Sequence, residues 1–177
     1  STAASIMLVD DHPLLRKGLR QLISMDDELE VIAEASNGAD AITQGVELDP
    51  DLILLDLNMQ GMNGLETLRH LRDQGVTSRI VMLTVSDADE DVLQAISLGA
   101  DGYLLKDMEP EELLEQIKRA LNGKMVLSEA VTQILATAIR SPNTKSAGEI
   151  DALTQRELEI LKLIAKGLSN KLIAREL

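Results

Sequence analysis

Short apolar runs alternate along the chain with stretches whose apolar residues recur every three or four positions, and the alternation persists from residue 5 to about residue 123. The runs read as strands at Ser5–Val9, Glu30–Ala35, Leu52–Leu55, Arg79–Leu83 and Gly102–Leu105. Between and after them the spacing predicts helices at Pro13–Ser24, Ala39–Glu47, Gly64–Arg72, Asp89–Leu98 and Pro110–Leu121. In the last, Leu113, Leu114, Ile117 and Leu121 share one helix face. Five strands alternating strictly with five helices predict the α/β class, a doubly wound, five-stranded parallel sheet.

After Gly123 the pattern changes. A short apolar segment, Met125–Leu127, precedes Ser128, which is placed to cap a helix running to about Ile139. From Arg140 to Gly148 the chain is polar and rich in turn formers, as a linker is. Thr154 and Glu157 then have the spacing of a capping box, in which each side chain satisfies a backbone N–H at a helix start. That helix would present Leu158, Leu161, Ile164 and Ala165 on one side and end at Gly167, with Ser169 capping another. The expected domains are therefore 1–124, a linker with a helix over 125–150, and an all-α portion over 151–177.

Composition narrows the chemistry. With 45% hydrophobic and 27% charged residues the chain can build a core, but one Tyr and no Phe or Trp mean that aliphatic residues must build it. The absence of Cys excludes thiolate chemistry, and two His are too few for a His-based zinc site. No apolar run is long enough to span a bilayer, so no membrane partner and a cytoplasmic location are the default expectation. The net charge of −13 is uneven: residues 151–177 carry five basic and four acidic groups, leaving −14 on the first 150.

In an open parallel sheet, ligands bind at the carboxyl ends of the strands near the point where strand order reverses. The first strand runs straight into Asp10 and Asp11, and the third into Asp56. Three converging carboxylates repel one another unless a cation joins them. Mg²⁺, which prefers oxygen ligands and completes its shell with phosphate, suits such a set. The fourth strand ends in Thr84 and the fifth in Lys106, a hydroxyl and a cation able to hold an anionic oxygen at the same edge. The combination suits phosphoryl transfer, with Asp56 as the nucleophile that becomes an acyl phosphate.

Val9 to Pro13, Leu55 to Met59 with Gly61 and Gly64, Thr84, and Tyr103 to Lys106 together resemble the response-regulator receiver domain, in order and spacing across residues 5–123. The resemblance implies a flavodoxin-like fold and phosphorylation of Asp56 by a sensor histidine kinase. It implies Mg²⁺ held by Asp10, Asp11, Asp56 and the backbone carbonyl of Asn58, and Lys106 paired with the phosphoryl group. It also implies a coupled switch of Thr84 and Tyr103, in which Tyr103 turns inward on phosphorylation. Homodimerisation on phosphorylation is left open. Two positions depart from many receivers: Gln60 and Asp107 stand where proline is common.

Leu153 to Glu157, Ile160 to Lys171, Ile173 and Ala174 resemble the opening of the helix-turn-helix domain of the NarL/FixJ group. By this resemblance the helix-turn-helix is partial, and DNA would be a partner only of a complete C-terminal domain. Asp49–Thr67, apart from Gln60, and Asp101–Glu109 are especially similar to the nitrate/nitrite regulators of that group. The leading expectation is a phospho-accepting transcription regulator rather than an enzyme, with only self-phosphorylation and slow self-dephosphorylation. The alternative is a Mg²⁺-dependent phosphatase or phosphotransferase with an aspartyl-phosphate intermediate. Such enzymes usually carry a second Asp two residues after the nucleophile, where this chain has Asn58. A third reading is a Mg²⁺-independent partner protein whose acidic cluster only receives another protein.

Overall fold

The computed structural model describes residues 3–140. Its elements are β1 (Ala4–Val9), α1 (Pro13–Ser24), β2 (Leu29–Ala35), α2 (Gly38–Leu48), β3 (Leu52–Leu55), α3 (Gly64–Asp73), β4 (Arg79–Thr84), α4 (Asp89–Ser97), β5 (Gly102–Leu105), α5 (Pro110–Leu121), β6 (Val126–Leu127) and α6 (Glu129–Arg140). The strands form one parallel sheet in the order β2-β1-β3-β4-β5-β6. The order reverses at β1, which lies between β2 and β3, so the crevice expected for a ligand opens at the ends of those strands. The helices expected from Thr154 and Ser169 lie outside the described residues.

The apolar runs are continuous because each strand is covered on both faces. Met7 and Val9 of β1, Ile53 and Leu55 of β3, and Ile80 and Met82 of β4 belong to one core cluster, which includes side chains of α2, α3, α4 and α6. The alternate residues Ile6, Leu8, Leu52, Leu54, Val81 and Leu83 join α1 and α5 on the other face, through Leu19, Ile23, Leu113 and Ile117. Helix starts follow local chemistry. The Asn37 side chain accepts the Asp40 N–H at 2.8 Å and so begins α2 one residue before the periodicity suggests.

The sheet has a sixth strand beyond the five expected, in the segment read as linker. Gly102 admits it, since a side chain at that position would stand 2.6 Å from the Val126 carbonyl oxygen. Ser128 does more than begin a helix. Its N–H donates to the Tyr103 carbonyl at 3.1 Å, and its hydroxyl accepts the Leu105 N–H at 2.8 Å, extending the β5 ladder to the foot of α6. Val131 and Leu135 of α6 are buried against α4 and the sheet, and each such side chain stabilises the fold by about 1.5–3 kcal/mol. No helix among the described residues is long and apolar enough to cross a membrane.

Candidate functional site

The carboxyl ends of β1 and β3 bring Asp10, Asp11 and Asp56 together. One ligand atom from each, and one from His12, lie within 4.8 Å of one another, so the cluster could coordinate a metal ion. The backbone fixes the convergence: the Asp10 N–H donates to Ala35 O at 3.1 Å and the Asp56 N–H to Val9 O at 2.9 Å. Asp10 and Asp56 are both buried. Behind Asp56, α3 starts in direct contact with the chain, because a side-chain carbon at Gly64 would lie 2.2 Å from the Asp56 carbonyl oxygen. Only glycine permits that approach.

Lys106, at the end of β5, reaches across the sheet edge. Its Nζ is 2.8 Å from Asp10 Oδ2 and 3.3 Å from Asp56 Oδ2. One cation thus serves two carboxylates and cannot neutralise both. Burial raises the Asp56 pKa above the ordinary carboxylate value, the Asp10 charge raises it further, and Lys106 opposes both. Asp56 Oδ2 and Asp11 Oδ1 are buried without a hydrogen bond. Lys106 Nζ lies 3.3 Å from the first, and the His12 ring nitrogen Nδ1 lies 3.0 Å from the second. Two buried carboxylate oxygens without a hydrogen bond, beside a third carboxylate, are an oxygen set that a hard divalent cation can take.

Asn58 donates its N–H to Asp56 Oδ1 at 3.3 Å, and its side-chain amide lies 3.4 Å from Thr84 Oγ1. No carboxylate stands at that position to act as acid or base. Gln60 donates its N–H to Asp11 Oδ2 at 3.3 Å, a bond that the proline common at this position could not make.

Thr84 is buried at the end of β4, and its Oγ1 accepts the Ser86 N–H at 3.3 Å. Tyr103 is fully buried, and its hydroxyl donates to Ser86 O at 2.7 Å. Tyr103 thus occupies the inward of the two positions expected for the switch. Burial, with the charges of Asp91, Asp87 and Asp56, raises the phenol pKa to about 12. Ser86 also binds Asp91 of α4 through its hydroxyl at 2.7 Å. Sequence reasoning missed Ser86, because its role depends on a turn that places its amide at Thr84 and its carbonyl at Tyr103. It missed His12 as well, although an N–H two residues after an Asp is a usual partner of that carboxylate, here at 2.8 Å.

Comparison with known proteins identifies the family. Residues 6–118 match the response regulator receiver domain family, and residues 151–177 match the luxR family of bacterial regulatory proteins. The chain is 56% identical over 174 residues to the nitrate/nitrite response regulator protein NarL of Escherichia coli K12, covering 98% of this chain and 81% of that protein. It is 52% identical to NarP of the same organism, over 98% of this chain and 80% of NarP. The crystal structure of a LuxR-family two-component response regulator from Aurantimonas sp. SI85-9A1 superposes with a TM-score of 0.73 at 36% identity, covering 76% of this chain and 96% of that one. The chain belongs to the two-component response regulators of the NarL/FixJ/LuxR family, phospho-accepting proteins that join a receiver domain to a LuxR-type DNA-binding domain.

Proposed function

We propose that Asp56 is the phosphoryl acceptor of this response regulator. The observation that carries the reading is its buried carboxylate at the end of a central strand, with Oδ2 free of hydrogen bonds, close to Lys106 and beside two further carboxylates. An Asp56 oxygen attacks the phosphorus of a phosphohistidine on the cognate sensor kinase. The new P–O bond forms as the P–N bond breaks, and the imidazole leaves. Asp10, Asp11, Asp56 and the Asn58 carbonyl would hold Mg²⁺, which supplies charge neutralisation at the phosphoryl oxygens when bound.

Lys106 is already aimed at Asp56 and exchanges its bond to Asp10 for one to a phosphoryl oxygen. The Thr84 hydroxyl donates to another. Its departure from Asn58 and Ser86 alters the loop that carries the Tyr103 hydrogen bond, so Thr84 and Tyr103 act as the switch. Phosphorylation favours the inward Tyr103, bonded to Ser86 O.

The proposed organisation is a receiver over 1–124, a linker with its docked helix over 125–150, and helix-turn-helix sequence from 151. The pathway proposed is the response to nitrate or nitrite, supported by identity with relatives so named across nearly the whole chain. Incubation with Mg²⁺ and a small acyl phosphate, followed by intact mass measurement, tests the acceptor. One alkali-labile phosphate is expected on the wild type and none on Asp56→Asn. Phosphate persisting in that variant overturns the assignment.

A further inference from the structure

The Asp10–Asp11 peptide is held by a side chain that none of the site chemistry above uses. Arg16 lies one turn into α1, where its own N–H donates to His12 O at 3.1 Å. Its guanidinium turns back over the start of the helix, and Nη1 donates to the carbonyl oxygen of Asp10. The same guanidinium faces Glu34 at the end of β2 as an ion pair, with Nε 3.4 Å from Oε1 but making no hydrogen bond. Glu34 is held in turn by Arg20 through its second oxygen, while its backbone carbonyl accepts from Gln44 Nε2 at 3.3 Å. Arg16 is largely buried, at 18% side-chain exposure, so the arrangement is a fixed part of the interior edge and not a solvated surface pair.

The consequence follows from where the two ends of the Asp10 residue are tied. Its N–H is fixed to Ala35 O, its carboxylate to His12 and Lys106, and its carbonyl to Arg16. The carbonyl belongs to the peptide that leads into Asp11, so the plane of that peptide sets the direction of the Asp11 side chain. The Asp11 carboxylate itself has few restraints: His12 Nδ1 lies 3.0 Å from Oδ1 without a hydrogen bond, and Oδ2 accepts the 3.3 Å bond from Gln60. A charged donor on the Asp10 carbonyl, itself oriented by a carboxylate on a neighbouring strand, is how outer groups orient the ligands of a metal.

We infer that Arg16 is a positioning residue for the acidic pocket, aiming Asp11 through the Asp10 carbonyl, with Glu34 fixing the guanidinium. The inference rests on the reading of that pocket as a Mg²⁺ site. The planar guanidinium makes the Asp10 hydrogen bond and the Glu34 ion pair at once, so the compact ammonium of lysine replaces only one of the two contacts.

The test uses the full chain with Mg²⁺ alone, followed by the fluorescence of Tyr103, the sole aromatic residue. Arg16→Gln is expected to weaken Mg²⁺ binding by about ten-fold or more. Arg16→Lys should fall between Gln and wild type. With the small acyl phosphate, the Arg16→Gln rate should return to the wild-type value once Mg²⁺ is saturating. In metal-free protein, amide hydrogen exchange should quicken at residues 10–12 and stay unchanged in β3 and β4. Wild-type Mg²⁺ affinity in Arg16→Gln overturns the inference alone. A loss that saturating Mg²⁺ does not restore, with exchange raised throughout the core, also overturns it by marking a merely structural role. A wild type with no Mg²⁺ response removes the metal reading, and this inference with it.

Discussion

Adding one carbon at Gly64 should damage both stability and phosphorylation, and the damage can be sized from the structure. The new Cβ of Gly64→Ala would meet Asp56 O at 2.2 Å, Leu57 Cα at 2.6 Å and Asp56 C at 2.9 Å. All three are backbone atoms of the strand-end segment, so no side chain can rotate away. Carbon–oxygen contacts relax near ~3.3 Å, so α3 and the Asp56–Leu57 peptide must separate by about 1 Å. That movement disturbs the bond from the Gly64 N–H to Leu57 O and the packing of the fully buried Leu68 and Leu71. Overpacking costs about 1–3 kcal/mol, and a weakened hydrogen bond adds about 1 kcal/mol. The expected loss is therefore roughly 2–4 kcal/mol, a fall in Tm of roughly 5–15 °C. A displacement of about 1 Å at a reacting group lowers rate by about 100-fold.

Thermal and urea unfolding followed by circular dichroism measure the first effect, and a mass-spectrometric time course with the acyl phosphate measures the second. Gly18→Ala is the control, since nothing lies within 4 Å of that position in α1, and alanine in a helix interior is favoured by about 1 kcal/mol. It should be slightly more stable than wild type and phosphorylate normally. Wild-type stability and rate in Gly64→Ala, or equal destabilisation of both variants, would refute the reasoning.

Tyr103 should ionise near pH 12, measured by tyrosinate absorbance on a chain with no other aromatic side chain. The folded pKa is raised above the unfolded value of about 10, so this stabilisation is intact below pH ~10. It is lost as pH rises through the folded pKa, to a limit of about 3 kcal/mol; an ordinary midpoint in the folded protein contradicts the buried phenol. Lys106→Met should abolish phosphate uptake and raise the Asp56 pKa further, read by carboxyl NMR titration, because Asp10 and Asp56 lose their shared cation. Leu135→Ala should cost about 2–5 kcal/mol in a single urea transition with unchanged slope; a separate early transition would mean that α6 is not part of the cooperative unit.

The parallel sheet and the acidic pocket were legible in the chain because both depend on local order. A fully apolar run followed at once by Asp names a buried strand and the sheet edge where it ends, which places Asp10, Asp11 and Asp56 without coordinates. Thr84 and Lys106 follow by the same rule. What escaped depends on tertiary reach. Arg16 reads as a solvated helix residue until α1 is laid beside the ends of β1 and β2. The two residues of β6 are too few to show a period, and only the bare backbone at Gly102 makes room for them. Ser128 looked like a helix cap because a serine before a helix usually is one, whereas its hydroxyl accepts from a strand. The inward Tyr103 was legible only as one of two positions, since one sequence is compatible with either rotamer.

The junction at Ser128 makes α6 a lever with its fulcrum on the sheet. Its N–H and hydroxyl are bonded to the two backbone groups that flank Leu104, at Tyr103 and Leu105, and its carbonyl accepts the first turn of the helix from Thr132. A twelve-residue helix is about 18 Å long. A tilt of roughly 10° about that junction would carry the far end by about 3 Å, and Val131 and Leu135, packed against α4 and the sheet, oppose it.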